Sequence, residues 1–173
     1  AIFGTNVNPE AIIDSTDVFR YYRGGGLTQS FLGFGEFDQY GNVNVSKFNG
    51  IIPGCGGFID IAHKTPKLVF CGSFTAGGAK IEIGGGRLHI LQEGKYRKIV
   101  EKVEQITLNG QEALKKGQDI TYVTERAVFH LTSAGIELVE YAPGVDIQKD
   151  ILDLIPFTIL VRDPREMDAR LFA

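Results

Sequence analysis

The sequence is short of cysteine, histidine, long apolar runs and any surplus of one charge. Its two cysteines, Cys55 and Cys71, carry no CxxC spacing, which argues against a disulfide framework and points to a reducing compartment, the cytoplasm. The three histidines, His63, His89 and His130, form neither HxH nor HExxH, so no metal is expected. Lys and Arg number 18 against 21 Asp and Glu, and the net charge of −3 argues against a domain built to coat nucleic acid. No apolar stretch approaches the roughly 20 residues of a membrane helix, and no charged-then-apolar leader opens the chain, so no membrane partner is expected. What remains is an ordinary soluble composition, 43% hydrophobic and 23% charged over 173 residues, enough for one domain with a substantial core. The chain opens at Ala1, and its single methionine is Met167, so a longer parent is expected.

Glycine is in excess, with 22 residues, about 13% where ~7% is usual. Residues 1–94 hold 18 glycines and 15 charged residues, whereas residues 95–173 hold 4 and 24. The part at about 1–94 reads as a backbone-rich ligand surface, and that at about 95–173 as a conventional charged strand-and-helix region. No Pro/Ser-rich linker divides them, so both are assigned to one domain, 1–173.

The fold class is α/β, rich in strands and with short helices. Leu27–Phe37 reads as a strand, and with the alternating Asn42–Phe48 it makes a hairpin across Asp38–Gly41. A short helix is expected over Phe58–Lys64, and a buried strand at Lys67–Cys71. Lys80–Ile83 and Arg87–Gln92 flank Gly84–Gly86 as a hairpin, and Ile120–Leu131 and Ile136–Tyr141 flank Thr132–Gly135 as another. Asp146 is placed to cap a helix through Ile147, Ile151, Leu152 and Leu154, and a last helix is expected over Arg165–Phe172.

Three glycine clusters stand out: Gly24–Gly26, Gly54–Gly57 and Gly77–Gly78. Such loops leave backbone N–H groups uncovered, and one that feeds a helix can offer several donors to one oxyanion; a tight packed turn is the plainer alternative. Neither GxGxxG nor GxxxxGK[ST] is present, which disfavours a dinucleotide or P-loop site. Cys55 reads more simply as a small side chain in a tight loop than as a nucleophile, since no His or GxSxG elbow accompanies it. His63 reads as a helix-end residue. Asp60, a carboxylate within the apolar FIDIA run, needs a dedicated partner, and nearby backbone amides are the candidates. The charged run Lys95–Glu104 reads as a solvated face.

The blocks NPEAIID (8–14), GGGL (24–27), YGNVNVSKF (40–48), GCGGFIDIA (54–62), VFCGSFTAGGAK (69–80) and MDARLF (167–172) occur in an order that resembles the C-terminal part of family I coenzyme A transferases. The resemblance is to the single-chain acetate/propionate/acetoacetate type and runs over essentially the whole chain. It implies a CoA-transferase-like fold of the NagB/RpiA/CoA-transferase type. It also implies transfer of CoA from a short-chain acyl-CoA to a small free carboxylate, as in ketone-body or short-chain fatty-acid metabolism. In this family a glutamate attacks the donor thioester, giving an acyl anhydride and CoA thiolate. The thiolate then attacks the enzyme's side of the anhydride, and the acceptor carboxylate resolves the resulting glutamyl-CoA thioester. CoA is thus a substrate, with no cofactor held by the protein.

By the same resemblance, Gly56 and Gly57 match the glycine pair that lends backbone N–H to the oxyanion, and Asp60 matches an acidic position three residues later. Cys55 replaces the alanine of the commoner GAGGF form. Asn42 and Asn44 match a segment lining the cleft, Thr75 to Gly78 a loop bordering the CoA site, and Gly24, Gly25 and Gly26 a segment beside the catalytic carboxylate. The family's nucleophile sits in Glu-Ser-Gly or Glu-Asn-Gly, and neither tripeptide occurs in these 173 residues. The resemblance therefore implies a fragment that is inactive alone. It needs the N-terminal part of the same enzyme and is homo-oligomeric when intact. An acyl-CoA hydrolase and a non-catalytic CoA-binding or assembly domain are the alternatives.

Overall fold

A computed structural model describes residues 6–173. Asp14 starts the first helix, α1 (Ser15–Arg23), by accepting the Thr16 N–H at 2.8 Å. The sequence reading missed this helix, because Thr16, Val18, Phe19, Tyr21 and Tyr22 are intrinsically poor helix formers. None of its residues is fully buried, so its place depends on a few side-chain contacts.

The expected strand over 27–37 is two strands. β1 (Gln29–Gly33) joins the main sheet, and β2 (Glu36–Asp38) pairs with β3 (Val43–Asn44) in the expected hairpin. The break falls at Gly35, where a Cβ would lie 2.1 Å from the Phe48 ring. α2 (Phe58–Ala62) and β4 (Lys67–Cys71) lie at the expected places. β5 (Thr75–Ala76) follows, then the hairpin β6 (Lys80–Gly84) and β7 (Arg87–Gln92), then β8 (Tyr96–Arg97) and β9 (Ile99–Val100). α3 (Gly110–Lys115), also missed, is capped by Asn109, which accepts the Glu112 N–H at 3.0 Å.

The expected strand over 120–131 is likewise two: β10 (Asp119–Val123) turns at Thr124–Arg126 into antiparallel β11 (Ala127–Thr132). The Thr124 hydroxyl donates to Ala127 O and accepts Ala127 N–H, a polar lock that periodicity does not reveal. β12 (Gly135–Tyr141) completes the second expected hairpin. Asp146 caps as read, but a π-helical turn (Ile147–Ile151) and a 3-10 turn (Leu152–Leu154) follow in place of a regular helix. The final correction is β13 (Leu160–Glu166). It extends across Arg165 because it pairs in parallel with β12, leaving only Ala169–Phe172 as a helical turn.

The main sheet has the order β1-β4-β10-β11-β12-β13, with β1, β4 and β10 parallel. One face is apolar: Leu68 pairs with Ile120, Phe70 with Tyr122, and Tyr122 with Phe129, all essentially buried. An aromatic column crosses this face, with Phe58 stacked on Phe70, Phe70 on Tyr122, and Phe37 on Tyr122 at 4.2 Å. Phe37 comes from the small sheet β3-β2-β9, which closes over the column. The opposite face is more open, and Phe31 on β1 is 69% exposed there. No described helix is long and apolar enough to cross a membrane.

Candidate functional site

The loop Gly54–Gly57 delivers the chain into α2. Gly56 has φ +52°, the left-handed region where a side chain is costly, although space around it is open. Gly57 is required for space: a Cβ there would lie 2.5 Å from the Phe19 ring of α1. Behind them Phe58 is buried against Phe70, and its N–H donates to Cys55 O at 3.1 Å. Among the described residues, neither the Gly56 nor the Gly57 N–H donates to any protein acceptor. Two backbone donors are thus held in place and uncommitted, the requirement for meeting charge that develops on an oxygen. Cys55 is half-buried, with its Sγ 3.7 Å from Gly56 O.

Asp60 does have a dedicated partner, but it is Arg23 of α1 at 3.1 Å, not the backbone amides expected for it. Gly24, Gly25 and Gly26 close α1, their N–H groups bonding Arg20, Tyr22 and Tyr21 carbonyls at 2.8–3.0 Å. These donors are spent on ending the helix. The structure therefore gathers Gly24–Gly26, Gly57 and Asp60 around the α1–α2 contact, where Gly25 also approaches the Lys64 stem. His63 ends α2, as read.

Asn42 and Asn44 lie in the interior. Asn42 donates to Asp38 and accepts the Gly110 N–H, while Asp38 also receives the Tyr40, Asn42 and Val103 amides. Asn44 donates to Glu36 and to Lys47 O, and accepts the Ser46 and Lys47 amides. The Tyr122 hydroxyl donates to Gly41 O at 2.7 Å in the same layer, and burial first, with Asp38 second, pushes its pKa well up. Thr75 is buried as well, donating to Glu93 and accepting the Gly94 N–H. Gly77 lies against Tyr96, and Gly78 O accepts from Gln92.

Two charged residues escaped the sequence reading. Arg126 is fully buried, paired with Glu93 at 2.5 Å and Glu125 at 2.8 Å, over the Phe74 ring. Lys98 sits in the run taken for a solvated face, yet it is half-buried, its ammonium 4.2 Å over the Phe34 ring and against Gly72. Burial lowers its pKa, with nearby Glu125 acting the other way. Neither carries a motif, and no sequence signal marks either. Phe34 and Gly72 directly follow β1 and β4, so Lys98 lies at the C-terminal edge of the parallel strands, the customary ligand edge of such sheets. Among the described residues no group of three or more His, Cys, Asp and Glu side chains is set to hold a metal.

No protein-family model matches the sequence. The chain is 52% identical over 171 residues to an acetate CoA-transferase, YdiF, of Escherichia coli O157:H7, covering 98% of this chain and 32% of that protein. It is 46% identical to a caffeate CoA-transferase of Acetobacterium woodii, over 99% of this chain and 34% of that one. The crystal structure of the E. coli O157:H7 acyl-CoA transferase YdiF, as a thioester complex with CoA, superposes with a TM-score of 0.94 at 51% identity, covering 97% of this chain and 33% of its own. The chain thus spans about a third of the length of these relatives. The fold alone extends to a glutaconate CoA-transferase from Acidaminococcus fermentans, at 18% identity and a TM-score of 0.66 over 92% of this chain and 62% of that one.

Proposed function

This chain belongs, over about a third of their length, to the CoA-transferases, and from that premise we propose that it supplies the oxyanion-binding wall of an enzyme that moves CoA from a short-chain acyl-CoA to a free carboxylate. The carrying observation is the pair of uncommitted amides at Gly56 and Gly57. Each step of the exchange passes through a tetrahedral oxyanion, and one well-aimed N–H is worth about 3–4 kcal/mol there. No Glu-Ser-Gly or Glu-Asn-Gly tripeptide is present, so the nucleophilic glutamate comes from the rest of the full-length enzyme. Its carboxylate displaces CoA thiolate from the donor to form an anhydride. The thiolate then takes the glutamyl carbonyl and frees the donor acid, and the acceptor carboxylate reverses both steps.

Asp60, through Arg23, and Gly24–Gly26 set α1 against the Gly57 loop, while Asn42 and Asn44 stiffen the adjoining turn and Thr75, Gly77 and Gly78 border the CoA path. This chain is 52% identical to a protein named for acetate and 46% identical to one named for caffeate, which fits a role common to transfers with different acids. Acyl choice depends in part on the N-terminal portion of the enzyme. The free thiols Cys55 and Cys71 fit a cytoplasmic, reducing setting, and the intact enzyme is a homo-oligomer on this reading.

The test is intact-mass spectrometry after acetyl-CoA treatment of the full-length enzyme and of this chain. A CoA-sized adduct on the former, cleared by borohydride and absent from the latter, is expected. A CoA-sized adduct on this chain moves the nucleophilic carboxylate into it, whereas an acetyl-sized one marks a thiol, Cys55 or Cys71. CoA release from the full-length enzyme without an acceptor carboxylate makes it a hydrolase.

A further inference from the structure

The hairpin β6–β7 is a sheet of its own, and its two sides are unlike. On its outer side β7 is tied to the body of the molecule, the Leu88 N–H donating to Pro143 O at 2.9 Å. Leu88 is therefore not bonded to Ile83, the residue opposite it on β6. By the alternation of an antiparallel ladder, Ile81 and Ile83 then turn their backbone N–H and C=O groups away from β7. Among the described residues no other strand pairs with β6 there. A row of unpaired backbone groups is a template for another strand. β13, an edge strand of the main sheet, is guarded by Pro164 and the charges around it, Arg162, Asp163 and Arg165. β6 reads Lys80-Ile81-Glu82-Ile83, without a proline. Its isoleucines share the face of buried Leu88 and are 38% and 54% exposed. Lys80 and Glu82 lie on the opposite face, exposed and without an ion-pair partner among the described residues.

Such a strand is complementary to itself. An antiparallel copy related by a two-fold axis through Ile81 sets each Lys80 opposite Glu82 of the other copy, and the two Ile81 residues exchange both backbone bonds. Moving the axis to Glu82 places two carboxylates face to face, which is unfavourable. We propose that β6 pairs edge to edge with β6 of a second copy of this chain, in the register centred on Ile81. The pairing makes one four-stranded sheet of two hairpins and carries the apolar Ile81–Ile83 face across the junction. It rests on the homo-oligomeric reading above, to which it gives one surface, and is independent of the chemistry at Gly56–Gly57.

The test is mild oxidation of the full-length enzyme carrying Ile81→Cys, with disulfides assigned by peptide mass and the oligomeric mass taken by light scattering. Residues that exchange both bonds stand about 5.5 Å apart at Cα, within reach of a disulfide. An 81–81 disulfide between copies is expected, at a rate independent of protein concentration. Ile83→Cys is on the same edge and more exposed, yet it should not link to itself, because in this register it faces Ala79 of the second copy. Adding K80E to I81C should slow the linkage about tenfold, since two attractive pairs become repulsive. Adding K80E and E82K together should restore the rate, and the thermal midpoint should hold throughout, as both positions are exposed. An oligomer whose 81–81 linkage is absent, no faster than 83–83 linkage, indifferent to K80E or not restored by E82K overturns this contact and leaves the homo-oligomeric reading intact. A monomeric enzyme overturns both.

Discussion

Two polar regions of this chain live under opposite conditions. Around Asp38–Asn44 and Arg126 the buried donors and acceptors named above are consumed by protein partners, whereas at Gly56–Gly57 two amides are fixed in space and left over. Both regions hold small, polar, glycine-bearing stretches. The difference lies in what surrounds them. Buried polar groups must pair, so the first region is scaffold; exposed amides on a rigid support are available for a ligand, so the second can do chemistry.

The comparison breaks first if the scaffold proves cheap to damage. Arg126→Ala strands Glu93 and Glu125 around an emptied site and is expected to cost about 3–5 kcal/mol in urea unfolding. A cost near zero would mean that the cluster is not structural. Asn44→Ala, which abandons four hydrogen bonds in a fully buried position, should cost about 2–3 kcal/mol by the same measurement.

On the loop side, Gly56→Ala meets no atoms and pays only for its left-handed backbone, about 1–2 kcal/mol, while Gly57→Ala must displace Phe19. If thermal melts show Gly56→Ala to be as damaging as Asn44→Ala, the loop is scaffold too.

Tyr122 sharpens the comparison through pH. Its folded pKa is raised, so its contribution to stability is full below the unfolded value near 10 and is lost as pH climbs above it. Denaturation followed from pH 8 upward should show stability falling beyond about pH 10. Tyr122→Phe should flatten that fall at a cost of about 1 kcal/mol for the bond to Gly41 O. The smallest effect belongs to Asp60→Asn, at most about 0.5 kcal/mol, because its Arg23 partner is 59% exposed.

Much of the strand framework was legible. Lys67–Cys71 is a short apolar run between a proline and a glycine, and Gly84–Gly86 separates two strands at hairpin distance. The splits at Gly35 and at Thr124–Arg126 were not, since one depends on the distant Phe48 ring and the other on a hydroxyl closing its own turn. At the site, the order of glycine-bearing blocks brought Gly56 and Gly57 to notice. It could not distinguish their open amides from the spent ones of Gly24–Gly26, whose conformation follows from the unrecognised α1.

By itself the sequence determined that Lys67–Cys71 is extended, that the chain turns at Gly84–Gly86 and at Thr132–Gly135, and that Asp146 caps, because those choices are settled among neighbours a few positions apart. Only the tertiary structure decided which donors remain unpaired, that Asp60 answers to Arg23, and that Lys98 leaves the solvated run for the Phe34 ring. The physical reason is that hydrogen-bond commitment and desolvation are set by atoms brought together from far along the chain.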